Sequence, residues 1–217
     1  MKLRVAHRVP RTRAEGPHER WALWLQGCSL RCPGCCNPEL FDPAGGALVE
    51  VDVLLAELAE LAPGRAAPRR KIEGVTILGG EPLEQLEALT ELCEGAAGLG
   101  LGVLVFTGLR LEEARARPGF AALWASLDTL VDGRFEARAR EPEARAGGRR
   151  FVGSRNQTLH HRSPRYADPA VWAGANSAEL RVEADGSVSV HGFPSAARSL
   201  LRLLAAPAPV DAKQSPN

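Results

Sequence analysis

Apolar positions along the chain fall into short continuous runs that alternate with stretches of helical period. Leu3 to Pro10 mixes apolar and basic residues and reads as a first strand. Trp21-Ala22-Leu23-Trp24-Leu25 reads as a second, ended by Gln26-Gly27. Leu54, Leu55, Leu58 and Leu61 recur at helical spacing within Asp52 to Leu61, and a polar connection from Pro63 to Lys71 follows. Gly74 to Leu78 is a short apolar strand closed by Gly79-Gly80, and Leu83 to Ala97 returns to the helical period through Leu86, Leu89, Leu92 and Cys93. Leu101 to Phe106 is a further strand, stopped by Thr107-Gly108. Helical segments at 111–117 and 120–127 lead to the strand Thr129-Leu130-Val131-Asp132. Strands alternating with helices predict an α/β fold with a parallel sheet, whose functional loops follow the C-terminal strand ends. A loop of clustered cysteines, Gly79-Gly80, Thr107-Gly108 and Asp132-Gly133 all occupy such ends, so they are expected to converge. Beyond Gly133 the pattern weakens. Arg134 to Arg155 reads as loop, and Leu180 to Glu183, Asp185-Gly186 and Val188 to Val190 carry a hairpin signal. Ala196 to Leu204 reads as a closing helix and the tail from Pro207 as disordered.

Composition narrows the class. With 217 residues, 45% of them hydrophobic and 24% charged, the chain suits one domain with a sizeable core and is too apolar to be disordered. No run approaches the roughly 20 apolar residues of a membrane span. The first residues lack the apolar core of a secretory signal, so a cytoplasmic location is expected. A formal net charge of +1 gives no reason to expect nucleic acid or an anionic membrane as partner.

The chemistry concentrates in the cysteines. Four of the five lie between Cys28 and Cys36, which makes a poor disulfide framework but suits a metal or redox site. Thiolates are soft donors for iron and zinc. Three on one compact loop would hold an iron–sulfur cubane by three corners and leave the fourth iron open, and an open position marks a reactive metal. Cys36 is expected to pack beside the others, and Cys93 belongs to a helix. A zinc site and a Cys32-Pro33-Gly34-Cys35 redox dithiol are the competing readings of the cysteines alone.

The spacing Cys28-x3-Cys32-x2-Cys35, followed by Gly79-Gly80-Glu81-Pro82 at a strand end, resembles the radical S-adenosylmethionine (SAM) superfamily. Within it, the chain is similar to the glycyl-radical enzyme activases, in particular the activating proteins of anaerobic ribonucleoside-triphosphate reductase. The likeness is carried by Trp24-Leu25-Gln26-Gly27-Cys28, Asn37-Pro38, Val105-Phe106-Thr107-Gly108, Leu130 to Phe135 and Gly153-Ser154-Arg155-Asn156-Gln157. The resemblance implies a partial, open β/α barrel with a C-terminal β-hairpin and helix, as one domain over 1–205 with its core at about 20–160 and an extension over 161–205. It implies a [4Fe-4S] cluster on Cys28, Cys32 and Cys35, and SAM bound through the cluster's fourth iron. Gly79, Gly80, Glu81 and Pro82 would meet the methionine part of SAM, and Thr107, Asp132 and Arg134 its remainder. The activity implied is reductive cleavage of SAM to a 5′-deoxyadenosyl radical that installs a glycyl radical on a large partner enzyme. The electron donor would be of the flavodoxin or ferredoxin type.

Three departures bear on the target: Cys36 stands where an aromatic residue is usual, Arg155 where a small one is, and the chain continues well past Arg162. A peptide or small biosynthetic molecule is therefore an alternative substrate, and a non-catalytic metal-binding module is a third reading. His160, His161 and His191 are expected as surface or hairpin residues, and Trp21, Trp24, Trp124 and Trp172 as core or rim. The basic run from Arg134 to Arg155, interleaved with Glu136, Glu141 and Glu143, is expected to be a solvated face.

Overall fold

The computed structural model describes residues 1–63, 71–182, 186, 188–193 and 196. Its centre is an open seven-stranded sheet. The strands are β1 (Lys2–Thr12), β2 (Arg20–Leu25), β3 (Ala47–Glu50), β4 (Gly74–Gly79), β5 (Gly102–Phe106), β6 (Thr129–Asp132) and β7 (Thr158–His161), in the order β3-β1-β2-β4-β5-β6-β7. β2, β4, β5 and β6 run parallel, while β1, β3 and β7 are antiparallel additions at the two sides. A separate antiparallel hairpin pairs β8 (Ala178–Val182) with β9 (Val188–Gly192).

The predicted strands are all present, because continuous apolar runs suit parallel strands covered on both faces. The structure adds β3 and β7. Both are four-residue strands at the sheet margins; β7 has one apolar residue, and β3, Ala47-Leu48-Val49-Glu50, is too short to show a period of its own. The helices are α1 (Val51–Leu61), α2 (Leu86–Gly98), α3 (Leu111–Arg115) and α4 (Phe120–Ser126). α2 starts later than its apolar period suggests, because Pro82–Gln85 forms a 3-10 turn first. Arg134 to Arg155 is loop apart from two short 3-10 turns, as expected. The closing helix, beyond Ala196, and the tail lie outside the described residues, as does Asp185 of the hairpin turn.

Side-chain alternation divides the sheet into two unlike faces. Trp21, Leu23 and Leu25 of β2, Val75 and Ile77 of β4, Val103 and Val105 of β5 and Leu130 of β6 join the buried cluster made with the helices. The opposite parity builds a second cluster, in which Leu104 and Val131 meet Phe151, Val152, Tyr166 and Trp172. No helix covers that second face among the described residues, and segment 151–172 closes its β5–β6 side and, through Tyr166, its lower end. At its lower end the side chain of Arg20 is fully buried. It donates to Tyr166 Oη at 2.8 Å, to Glu73 at 3.0 Å and to the Gly102 carbonyl at 3.2 Å. The upper end of the same face is left open.

Candidate functional site

Parallel strands place the loops that follow β2, β4, β5 and β6 at one end of the sheet. There they surround a cavity of about 640 Å³ on the helix-free face, within the usual range of small-molecule sites. Cys28, Cys32 and Cys35 line it, as do Gly79, Gly80, Glu81 and Thr107. Its floor is set by strand parity. Trp24 and Leu78 stand opposite each other in register, and Phe106 follows on β5.

The cysteine loop is fastened on two sides. Gln26 donates from Nε2 to the carbonyls of Asp42 (2.7 Å) and Glu39 (3.2 Å), and Gly27 N–H bonds the Leu40 carbonyl at 2.9 Å. From the other side, Gln85 bridges the backbone of Arg4 and the Gln26 carbonyl, while Glu84 accepts from Ser29 N–H at 2.8 Å. Residues from β1, the Glu39–Asp42 segment and the turn after β4 thus hold one nine-residue cluster of thiols against the strand ends. Gly79-Gly80 makes that approach possible. A Cβ at position 80 would lie 1.9 Å from the Gly27 carbonyl oxygen, and one at 79 would lie 2.3 Å from Leu25 N. Gly80 N–H and Glu81 N–H bond the carbonyls of Leu25 (2.7 Å) and Gly27 (2.8 Å).

Glu81 is nearly fully buried and joins two strand ends. Its carboxylate accepts from Thr107 Oγ1 (2.7 Å), Gly108 N–H (2.8 Å) and Leu83 N–H (3.0 Å). Burial raises its carboxyl above the ordinary range despite those bonds. Thr107 in turn accepts from Leu109 N–H, which fixes the turn after β5. Pro82 is buried at the start of the 3-10 turn, behind the lining. Asp132 also stands behind it. One carboxylate oxygen accepts from Leu111 N–H at 2.6 Å and lies 2.9 Å from His160 Nε2. Arg134 is half-exposed, its guanidinium 3.9 Å from Glu113, and its neighbour Gly133 reaches the cavity. Sequence position alone could not distinguish these side chains from those that point inward.

Among the thiols, Cys35 is pulled down to about 6 by a hydrogen bond from Cys36, aided by Asn37 N–H. Cys36 is correspondingly pushed up. Burial raises Cys28, and Cys93 is buried on α2, raised by burial. No three His, Cys, Asp or Glu side chains among the described residues converge on one metal-ion position. A donor set for a cluster needs wider spacing, with each thiolate meeting a different iron. Three soft donors on one loop, one of them already acidic, beside a roomy cavity suit such a cluster.

Several lining residues lay outside the predicted set. Phe135, Phe151 and Gln157 come from the loop after β6 and from segment 151–157. Gln157 Oε1 accepts from the N–H groups of Gly153 and Ser154, each at 3.0 Å, and its Nε2 donates to the Gly133 carbonyl. His191 lies on the hairpin as expected, yet it lines the cavity with Val190, Gly192 and Phe193. Trp21 and Trp172 are core, Trp124 packs against it, and Trp24 is part of the cavity. The basic run is paired in part, as in the Arg149–Glu141 bridge at 2.7 Å.

Residues 14–160 match the 4Fe-4S single cluster domain family. The chain is 28% identical over 153 residues to the anaerobic ribonucleoside-triphosphate reductase-activating protein of Escherichia coli K12, covering 67% of this chain and 90% of that one. It is 34% identical over 93 residues to the pyruvate formate-lyase-activating enzyme of Clostridium pasteurianum, covering 43% of this chain and 38% of the relative. It is also 34% identical over 108 residues to the 7-carboxy-7-deazaguanine synthase of Hyperthermus butylicus, covering 48% of this chain and 42% of that enzyme. No described helix is long and apolar enough to cross a membrane. With its thiol loop and glycine turn on one cavity and a family match that runs through both, this chain belongs to the 4Fe-4S single cluster domain family and is a relative of the radical SAM activases.

Proposed function

We propose that this protein is a radical SAM enzyme that installs a glycyl radical on a partner enzyme such as an anaerobic ribonucleotide reductase. The observation that carries the reading is the meeting of Cys28, Cys32 and Cys35 with the Gly79–Glu81 edge on one cavity. The three thiolates would hold a [4Fe-4S] cluster, and the carbonyl edge at Gly79-Gly80 would accept from the methionine ammonium of SAM. Bound together there, cluster and SAM supply one-electron cleavage of the sulfonium to methionine and a 5′-deoxyadenosyl radical, which takes a hydrogen atom from the substrate. The lining agrees with a cationic sulfonium. Glu39 lines the cavity, and no Lys or Arg among the described residues does. Glu81 positions the β4 and β5 turns about the ligand, and Thr107 shares that task through its hydroxyl. Asp132 holds the start of α3 and the margin of β7, while Arg134 frames the rim. Trp24, Leu78, Phe106 and Phe135 exclude water from the reacting centre.

The helix-free sheet face that carries the cavity supports the partial-barrel reading, in which that face is the interior and 1–205 forms one domain. A flavodoxin- or ferredoxin-type protein would deliver the electron. Anaerobically reconstituted protein, given dithionite, is expected to convert SAM to 5′-deoxyadenosine and to bind close to four irons per chain. Cys32→Ala should lose both. Equal cleavage by that variant would refute the assignment. The similarity to the 7-carboxy-7-deazaguanine synthase favours a second reading, the same chemistry on a small molecule.

A further inference from the structure

The family match ends at residue 160, yet the cavity does not. Val190, His191, Gly192 and Phe193 of the β8–β9 hairpin and its exit form part of its wall. The hairpin is tied to the β1–β2 connection at several points. Arg13 N–H donates to Glu179 at 2.7 Å, Arg181 donates to the Arg11 carbonyl, and Arg150 reaches Ser177 Oγ at 3.1 Å and the Arg13 carbonyl at 3.2 Å. Gly192 permits the contact itself, since at φ +109° a Cβ there would lie 2.9 Å from that of Ala14. Its N–H bonds the Glu15 carboxylate. On the sheet side a β-bulge between Val5 and His7 turns both Ala6 and His7 to the cavity. The His7 and His191 rings then stack at 4.8 Å with 8° between their planes, and Trp24 tilts against His7 at 5.3 Å.

We propose that this hairpin wall recognises a peptide backbone, with His191, stacked on His7 beside Trp24, holding the glycine-bearing segment whose hydrogen is removed at the cysteine end of the same cavity. The inference rests on the function proposed above and names how its substrate is selected. Glycine has no side chain to read, so its recognition must use the amides on either side. His191 Nε2 is engaged by Ser189 Oγ at 2.9 Å, so its Nδ1 and the Glu15 carboxyl are the groups that can exchange hydrogen bonds with amides, and the rings of Trp24 and Phe193 cover the intervening apolar surface. An anionic small molecule would require a cation, and no Lys or Arg lines the cavity among the described residues. In the reaction one Cα–H bond of glycine breaks. The hydrogen atom passes to C5′ of the 5′-deoxyadenosyl radical, giving 5′-deoxyadenosine and a glycyl radical. The electron consumed in forming the 5′-deoxyadenosyl radical comes from the reductant.

The test uses the full chain, reconstituted anaerobically, with SAM, dithionite and a short synthetic peptide matching the glycyl segment of an anaerobic ribonucleoside-triphosphate reductase. The glycine is deuterated at Cα, and deuterium in 5′-deoxyadenosine is read by mass spectrometry. Wild type should transfer deuterium. His191→Phe keeps a stacking ring and removes both nitrogens, and it should lower the deuterated fraction of product about tenfold, the equivalent of one lost hydrogen bond. His191→Asn, which restores an amide at that position, should recover part of it. An unchanged fraction in His191→Phe overturns the inference. SAM cleavage by wild type with no deuterium transfer also overturns it but leaves the radical chemistry standing, whereas no cleavage at all removes the underlying reading. A photo-cross-linking version of the peptide, applied to wild type, guards against misfolded variants. Labelling within 188–193 supports the wall, and labelling confined elsewhere rejects it.

Discussion

Glu81 shows how one side chain can serve a site without being its reacting group. It lines the cavity but directs its carboxylate to Thr107, Gly108 and Leu83. Glu81→Gln puts an amide N–H against a backbone N–H, so a loss of about 1–3 kcal/mol is expected in urea unfolding. The pH dependence has a defined sign. Burial raises the folded carboxyl above its ordinary 4.5, so the protein binds that proton more tightly folded than unfolded. Its stabilisation is therefore present below that ordinary value and is lost as pH rises through the raised folded one. Wild type should lose stability across that window, and the slope should be missing in Glu81→Gln. Gly80 offers a steric counterpart. A methyl 1.9 Å from the Gly27 carbonyl forces the strand end and cysteine loop apart. Gly80→Ala should lower the thermal midpoint and the iron bound per chain together, the latter measured after anaerobic reconstitution.

The turn from Pro82 to Gln85 connects a β-strand to α2, and it also clamps the cysteine loop. Gln85 satisfies Arg4 N–H at 2.7 Å and donates to the Arg4 and Gln26 carbonyls at 3.1 and 3.0 Å. Gln85→Ala leaves these partly buried groups without their partner. A cost of about 1–3 kcal/mol is expected, with faster loss of iron to a chelator than in wild type. The helical period of Leu86, Leu89, Leu92 and Cys93 was readable because α2 buries one stripe against the sheet. The turn before it was not, since its role lies in polar contacts to residues 55 to 81 positions away. β7 escaped for a related reason: Thr158 to His161 is defined by its pairing with β6, and it has only Leu159 as an apolar residue.

Opposite the cavity, the sheet is closed by the buried Arg20 network. Its guanidinium joins β2 to Thr76 on β4, to Glu73 and to Tyr166 from a segment more than 140 residues away. This contact ties the family-matched region to the chain beyond it, since Tyr166 follows residue 160. Arg20→Met should cost about 1–3 kcal/mol, because Thr76 and the buried Val75 and Gly102 carbonyls lose their donor while Glu73 keeps Arg165. The denaturant midpoint reads the loss, and a Tyr166→Phe background should show a smaller effect if the two act as one unit.

By itself the sequence determined the strands of the parallel core, the main helices and the loops that end on the cavity. Local period, glycine punctuation and cysteine spacing are short-range properties, so they are written in consecutive residues. It also placed His191 on a hairpin, but not on the wall of the cavity. Tertiary structure alone decided which side chains at the strand ends face inward. Asp132 and Arg134 sit one residue either side of cavity-lining Gly133, and the turn after β6 sends their side chains elsewhere. It alone brought the β8–β9 hairpin onto β1 and the chain after it, because that contact depends on bonds and a ring stack between residues more than 160 positions apart. The opening pattern of apolar runs thus specifies one sheet and its functional end, while the wall opposite the strands arises from packing that no local period encodes.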